Sequence, residues 1–155
     1  MSMSGITIRL ATAADVPALI AIFASDAIGG HGDTTDAAAF DDYIRAFALI
    51  EASPNEKLYV AELEQKIVGT FQTLTTTALT GRGASHMIIE AVQTLPEMRG
   101  QGIGAEMIRF CIGQAQRTGM ASVRLTSNAT RTDAHRFYHK LGFESSHLGF
   151  KMKLK

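Results

Sequence analysis

Apolar and polar residues alternate through Ile6-Thr7-Ile8-Arg9-Leu10, the pattern of a strand with one buried face. The period then changes. Thr12-Ala13-Ala14-Asp15 reads as a capping-box variant opening a helix with Val16, Leu19, Ile20 and Phe23 on one face. Three glycines within Gly29-Gly30-His31-Gly32-Asp33 interrupt it and predict a turned loop. A second helix is predicted from Asp36 to about Ala52, its apolar stripe Phe40, Ile44, Phe47 and Ala48, ended by Ser53-Pro54-Asn55. The period then returns to two: Leu58–Glu62 and Ile67–Leu74 flank the polar turn Glu64-Gln65-Lys66, predicting a hairpin. Thr75 to Gly83 reads as a connection and His86–Thr94 as a further strand.

Ile103, Met107, Ile108, Cys111, Ile112 and Ala115 recur at helical spacing until Thr118-Gly119, and Ser122–Thr126 alternates again. A short helix capped by Thr132 or Asp133 should run through Lys140, with Leu141-Gly142-Phe143 as its left-handed C-terminal cap. The alternation from His147 to Leu154 predicts a terminal strand. With no repeat, linker or low-complexity segment, residues 1–155 read as one compact α/β domain.

The most informative junction lies between the fourth predicted strand and the helix that follows it. Leu95-Pro96-Glu97-Met98-Arg99-Gly100-Gln101-Gly102-Ile103-Gly104 puts one arginine and three glycines just before a helix. Exposed N–H groups and the positive end of the helix dipole suit an anion there, most often a phosphate. A Walker A loop needs Gly-Lys followed by Ser or Thr, whereas Gly104 precedes Ala105-Glu106. Gly100-x-Gly102-x-x-Ala105 satisfies the dinucleotide spacing, but that fold needs an acid about 20 residues on. No Asp or Glu occurs between Glu106 and Asp133. The preceding antiparallel hairpin also disagrees with a βαβ start.

Composition adds mainly exclusions. The 155 residues are 46% hydrophobic and 19% charged, which suits a globular chain with a real core. Fifteen basic residues balance fifteen acidic ones, so no global charge recruits nucleic acid or a membrane surface. Cys111 alone makes no intramolecular disulfide and reads as a small buried residue. His135 and His139 stand at i and i+4, but no Glu lies between them in the metalloprotease pattern, so no metal is expected. The apolar stretches are too short for a membrane span, and a cytoplasmic location is the default expectation.

Taken with Ala134-His135-Arg136-Phe137-Tyr138-His139-Lys140-Leu141-Gly142-Phe143, the arginine–glycine loop closely resembles the GNAT N-acetyltransferase superfamily, over nearly the whole chain. The resemblance rests on Arg99-Gly100-x-Gly102-x-Gly104 opening a helix. An alanine, an aromatic–Tyr pair and Leu-Gly-Phe follow about 30 residues later. It implies an α/β (α+β) fold: a mixed, mostly antiparallel sheet of about six or seven strands flanked by about four helices. It also implies acetyl-CoA as co-substrate. Backbone N–H groups of Arg99, Gly100, Gln101, Gly102, Ile103 and Gly104 would hold the pyrophosphate. The strand would splay from its neighbour, exposing main chain at Val92, Gln93 and Thr94 to pantetheine.

Direct acetyl transfer needs a base for the amine, a donor for the thioester oxygen and an acid for the departing thiolate. Tyr138 matches the family tyrosine near the CoA sulfur and is the expected acid. Glu90 is the expected base, or the anchor of a water acting as one, with His86 on the same strand face in reserve. The N–H of Val92 or a neighbour would meet the thioester oxygen. Where the family often carries Asn three residues before the motif's alanine, this chain has Arg131; either Asn128 or Arg131 would make the CoA contact. The acceptor is expected to be a primary amine of a small molecule or peptide, met by residues 29–35 and 75–83, including His31, Asp33 and Arg82. A homodimer is possible. The rival reading is a non-catalytic acyl-CoA-binding or regulatory module of the same fold.

Overall fold

The computed structural model describes residues 5–26 and 31–155, in two compact units divided after Arg124. The first unit holds a mixed, mostly antiparallel five-stranded sheet in the order β1-β2-β3-β4-β5: β1 Ile6–Leu10, β2 Glu56–Leu63, β3 Lys66–Thr77, β4 Ser85–Thr94 and β5 Ser122–Leu125, whose last residue lies at the division. Helices α1 (Val16–Ala24), α2 (Phe40–Ala52), a single turn α3 (Thr80–Gly83) and α4 (Ile103–Arg117) connect them. β1 to β4 pair antiparallel in succession. The β2–β3 connection is two residues, and both, Glu64 and Gln65, take positive φ (51° and 65°), the mirror-image turn whose twist matches the strands.

The two faces of this sheet carry separate packing. On one, Tyr59 of β2 and its partner Phe71 of β3 stack with ring centroids 4.9 Å apart, and Phe110 of α4 meets both at 5.3 and 6.0 Å. Met107, Ile108 and Cys111 of α4 are fully buried, and Gly69 lets the helix in close: a Cβ there would stand 2.9 Å from the Met107 sulfur. Burial pushes the Cys111 thiol up to about 12, as suits an inert core cysteine. On the other face, Val16 and Ile20 of α1 and Phe47 of α2 pack with Tyr43, Ile44 and Leu58. The entry to α1 is fixed as its capping box predicts: the Thr12 N–H donates to the Asp15 carboxylate at 2.7 Å, and Arg9 clamps the same carboxylate at 2.7 and 2.9 Å.

Three expectations are corrected. Phe40 and Ala48 are exposed, and the inward stripe of α2 is Tyr43, Ile44 and Phe47. Asp36 caps a tight 3-10 turn, Ala37–Ala39, and that turn changes the phase before the α-helix begins. β3 runs to Thr77, into the stretch read as a connection. The sheet has five strands rather than six or seven, because residues 144–155 of the second unit form none; Leu148, Phe150, Met152 and Leu154 there are 83–92% exposed. Alternation supplies an apolar edge, but a strand also needs a hydrogen-bonding neighbour.

The second unit contains α5, Thr132–Lys140, and its C-terminal cap. Gly142 at φ 102° lets its N–H reach the His139 carbonyl and the Phe143 N–H reach that of Tyr138, both at 3.1 Å. This is a Schellman closure, and Tyr138 and Phe143 complete it with an edge-on ring contact at 5.8 Å.

Candidate active site

The chain leaves β4 through Leu95, whose N–H is held by the Val68 carbonyl at 2.8 Å, and turns at Pro96–Met98. Gly100 (φ 76°) and Gly102 (φ 84°) then take left-handed conformations that side-chain-bearing residues rarely adopt. Gly102 is the N-cap of α4 and carries no side chain to close it. The first intrahelical bond runs from the Glu106 N–H to the Gly102 carbonyl at 3.1 Å. The N–H groups of Gly102, Ile103, Gly104 and Ala105 therefore precede the ladder. A Cβ at Gly100 or Gly102 would meet nothing within 4 Å, so open space adjoins both glycines. Arg99 and Gln101 are exposed beside it. This cradle fits a pyrophosphate: oriented donors, a helix dipole and no carboxylate in the loop between Arg99 and Ala105.

Upstream, β4 contains a bulge that no sequence motif marks. Thr70 faces Gln93 and Gln72 faces Glu90, so Ala91 and Val92 together stand opposite Phe71. Ala91 absorbs the extra residue at φ 52°, an uncommon conformation for a non-glycine residue. Thr70 and Gln72 share one face of β3, so their partners Glu90 and Gln93 share one face of β4 although three residues apart. On its other side β4 neighbours β5, and just before β5 the Ala121 N–H donates to the Ser85 carbonyl at 2.7 Å. β5, at four residues, is shorter than the ten-residue β4.

Beneath the bulge lies a cavity of about 460 Å³, lined among others by Phe23, Asp26, His31, Asp33, Tyr43, Gln72, Glu90 and Gln93. The Tyr43 hydroxyl donates to Asp33 at 2.8 Å and accepts the Thr34 N–H at 3.1 Å, which ties the loop to α2. Burial raises the Tyr43 phenol above its ordinary value, so it remains a donor. The Gln93 amide donates to Asp26 at 2.8 Å. Glu90 is exposed at the cavity wall.

Of the residues named from the sequence, Glu90, His31 and Asp33 line one cavity, and so does Gln93, which was expected to offer main chain to the cofactor. Sequence reasoning missed Asp26, Tyr43 and Gln72, which belong to no motif; the inward stripe of α2 was the only available signal, for Tyr43. Gly29 and Gly30 lie outside the described residues. Arg82 does not line the cavity; it sits in α3 at φ 62°. His86 is turned to other partners: its Nδ1 lies 2.7 Å from the Ser122 hydroxyl, and Arg124 reaches its Nε2 at 3.3 Å. An arginine only donates, so Nε2 accepts and the proton sits on Nδ1.

In the second unit, Tyr138 lies on α5 between Phe137 and Phe143, with centroids at 5.1 and 5.8 Å. Burial pushes its phenol above the ordinary tyrosine value, and the Arg131 charge pulls it partly back. Asn128 uses its side-chain oxygen locally, accepting from the Thr130 N–H at 2.9 Å and hydroxyl at 2.7 Å, an Asx turn leading into α5. His135 and His139 turn to the carbonyls of Asn128 and Phe143. Among the described residues no three His, Cys, Asp or Glu side chains gather as a metal site.

Residues 17–143 match the model of the acetyltransferase (GNAT) family, and the chain belongs to this acetyl-CoA-dependent family. It is 37% identical to a Bacillus halodurans C-125 protein whose crystal structure is described as a transcriptional regulator; the two superpose with a TM-score of 0.92 over 96% of this chain and 99% of that one. A putative acetyltransferase from Agrobacterium tumefaciens C58 is 28% identical with a TM-score of 0.80, over 95% of this chain and 99% of its own. Aminoalkylphosphonate N-acetyltransferase of Salmonella typhimurium is 38% identical over 66 residues, and the match covers 43% of each chain.

Proposed function

We propose that this protein transfers the acetyl group of acetyl-CoA to a primary amine of a small molecule or peptide, by direct attack within a ternary complex. The observation that carries this reading is the continuity of β4. Its bulge brings Glu90 and Gln93 to a cavity, and its end leads through the glycine turn into a helix N-terminus with no side-chain cap. Cofactor and acceptor thus receive adjoining stretches of one strand.

Acetyl-CoA supplies the activated acyl group, and the residues supply the rest. Glu90, directly or through a water, takes a proton from the acceptor ammonium and frees its lone pair. The amine nitrogen bonds to the thioester carbon while the oxygen gathers charge, which the Val92 main-chain N–H meets. The carbon–sulfur bond then breaks as the Tyr138 hydroxyl protonates the departing sulfur, and the acetylated nitrogen gives up its second proton to solvent, from which the tyrosinate regains its own. A phenol whose pKa is raised stays protonated through the neutral range, as this role requires. The acceptor named for the Salmonella relative, an aminoalkylphosphonate, is one member of the amine class.

A second reading, a regulatory acyl-CoA-binding module, is favoured by the description of the Bacillus halodurans structure as a transcriptional regulator. One experiment separates the two. Purified protein should be stabilised against heat by acetyl-CoA, and a panel of amines, polyamines, amino acids, aminoglycosides and peptides should release free CoA above background. Stabilisation without release from any amine would favour the module. Absence of both would remove acetyl-CoA from the account.

A further inference from the structure

Residues 147–154 carry the pattern of a strand without its surroundings. From Leu148 to Lys155 the sequence alternates strictly, Leu-Gly-Phe-Lys-Met-Lys-Leu-Lys. In an extended conformation Leu148, Phe150, Met152 and Leu154 fall on one face and the three lysines on the other. The four apolar side chains stand 83–92% exposed, and among the described residues no main-chain hydrogen bond joins 147–154 to another segment. Leu79 is as exposed but stands alone, and a single exposed apolar residue needs no account. Four on one face form a patch of about 400 Å², at roughly 100 Å² of apolar surface each. The sheet offers what this segment lacks. In the order β1-β2-β3-β4-β5, β5 has a neighbour on one side only among the described strands, so its outer edge has main-chain groups for one more strand.

We infer that two copies of this chain associate by exchanging residues 147–154, the segment of each adding as a strand at the β5 edge of the other and turning its apolar face onto that partner. The area selects a second copy over an unrelated protein. Docked once, the segment buries about 400 Å² of its own and a similar area of what it covers, short of the ~1,000 Å² that a stable specific interface clears. A two-fold exchange makes the contact twice and reaches about 1,600 Å², the standard size. Charge agrees: three lysines against Glu144 leave residues 144–155 net positive in a chain balanced overall, so the surface they approach belongs to a net negative remainder. Lys151, Lys153 and Lys155 on the opposite face oppose stacking of a further segment, so the association closes at two. The inference stands independently of acetyl transfer.

The test is the mass of the full chain in solution, by size-exclusion chromatography with light scattering between about 1 and 100 µM, where an interface of this size is populated. Twice the chain mass is expected. Phe150→Asp combined with Met152→Asp should weaken the dimer by about a hundredfold or more, because it places charge on the face to be buried. Lys151→Gln combined with Lys153→Gln, on the opposite face of the same segment, should change it by less than about tenfold. Hydrogen exchange on the unaltered protein needs no variant to fold: amides of 148–154 and of β5 should become protected as concentration rises through the dimer transition. A monomer throughout the range overturns the inference; if that monomer cosediments with vesicles of phosphatidylcholine and phosphatidylserine, the segment belongs to a membrane surface instead. A dimer that withstands the paired aspartates, or whose formation leaves exchange at 148–154 unchanged, uses another surface and equally overturns it.

Discussion

The side-chain amide of Gln93 donates to the Asp26 carboxylate at 2.8 Å, joining the last turns of β4 to the end of α1 across 67 residues of sequence. The bulge makes this pairing possible. Without the extra residue at Ala91–Val92, Gln93 would face the opposite side of the sheet from Glu90. In the proposed reading Gln93 has two separable parts: main chain offered to the cofactor and a side chain that aims the Asp26 carboxylate. Gln93→Ala should raise the acceptor KM about tenfold, in line with a hydrogen bond to a charged group worth about 1.5–3 kcal/mol. The KM for acetyl-CoA should move little. A rise confined to acetyl-CoA would show that the side chain serves the cofactor instead.

Gly102 is the N-cap of α4 at φ 84°, with open space where a Cβ would go, so the obstacle to a side chain is conformational. Gly102→Val should cost about 1–2 kcal/mol for holding a residue in the left-handed region, more for being β-branched. It should also weaken acetyl-CoA binding, because relaxing φ re-aims the amides that form the cradle. Thermal unfolding with and without acetyl-CoA reads both effects. A variant that loses stability but retains the full ligand-induced shift would place the phosphates elsewhere.

Periodicity reported burial well and neighbours poorly. Ile103, Met107, Ile108, Cys111, Ile112 and Ala115 were legible as one face because a long α-helix keeps its phase; all are buried except Ile112, which is half-buried. Phe40 and Ala48 were misplaced because three residues of 3-10 helix, Ala37–Ala39, shift the phase before α2 begins. The glycines at 100 and 102 announced their positive φ by being glycines. Ala91 did not, so the bulge that gathers Glu90, Gln93 and Gln72 left no mark in the sequence. The alternation of 147–154 described an edge without saying what pairs with it. The glycine turn into α4 was legible because it is local; the cavity at Glu90 was not, because Asp26, Tyr43 and Gln72 meet only in three dimensions.

Away from the site, the Arg9–Asp15–Glu62 cluster predicts an acid limb. Hydrogen bonding from Arg9 lowers the Asp15 carboxyl from an ordinary 3.8 to about 2, against the opposing effect of its burial. A depressed carboxyl pKa stabilises the fold in full above the unfolded value, and that contribution is lost as pH falls from about 4 through about 2. Arg9 is a third exposed, so solvent screening reduces the contribution to about 1–2 kcal/mol. Asp15→Asn should lower stability by about this much at neutral pH and flatten the decline between pH 4 and pH 2, as followed by urea unfolding. An equal acid decline in the variant would assign that limb to other carboxylates.

The proposed acid and base make opposite demands on pH, and two conservative variants separate them. Tyr138→Phe keeps the aromatic contacts with Phe137 and Phe143 and removes only the hydroxyl. Turnover should fall about 10²–10⁴-fold with acetyl-CoA binding largely kept, the range for loss of a positioned general acid. Because burial raises this phenol, deprotonation of Tyr138 should not limit the rate in the neutral range. The part of the pH–rate profile that rises with pH belongs instead to the base, and Glu90→Gln should flatten or shift that limb. Glu90 stands exposed at the cavity wall, on the face the bulge shares with Gln93, where either a substrate ammonium or a water can reach it. If the glutamine variant keeps the rising limb, proton removal occurs at another group; if the phenylalanine variant turns over near the parent rate, sulfur leaves without help from Tyr138.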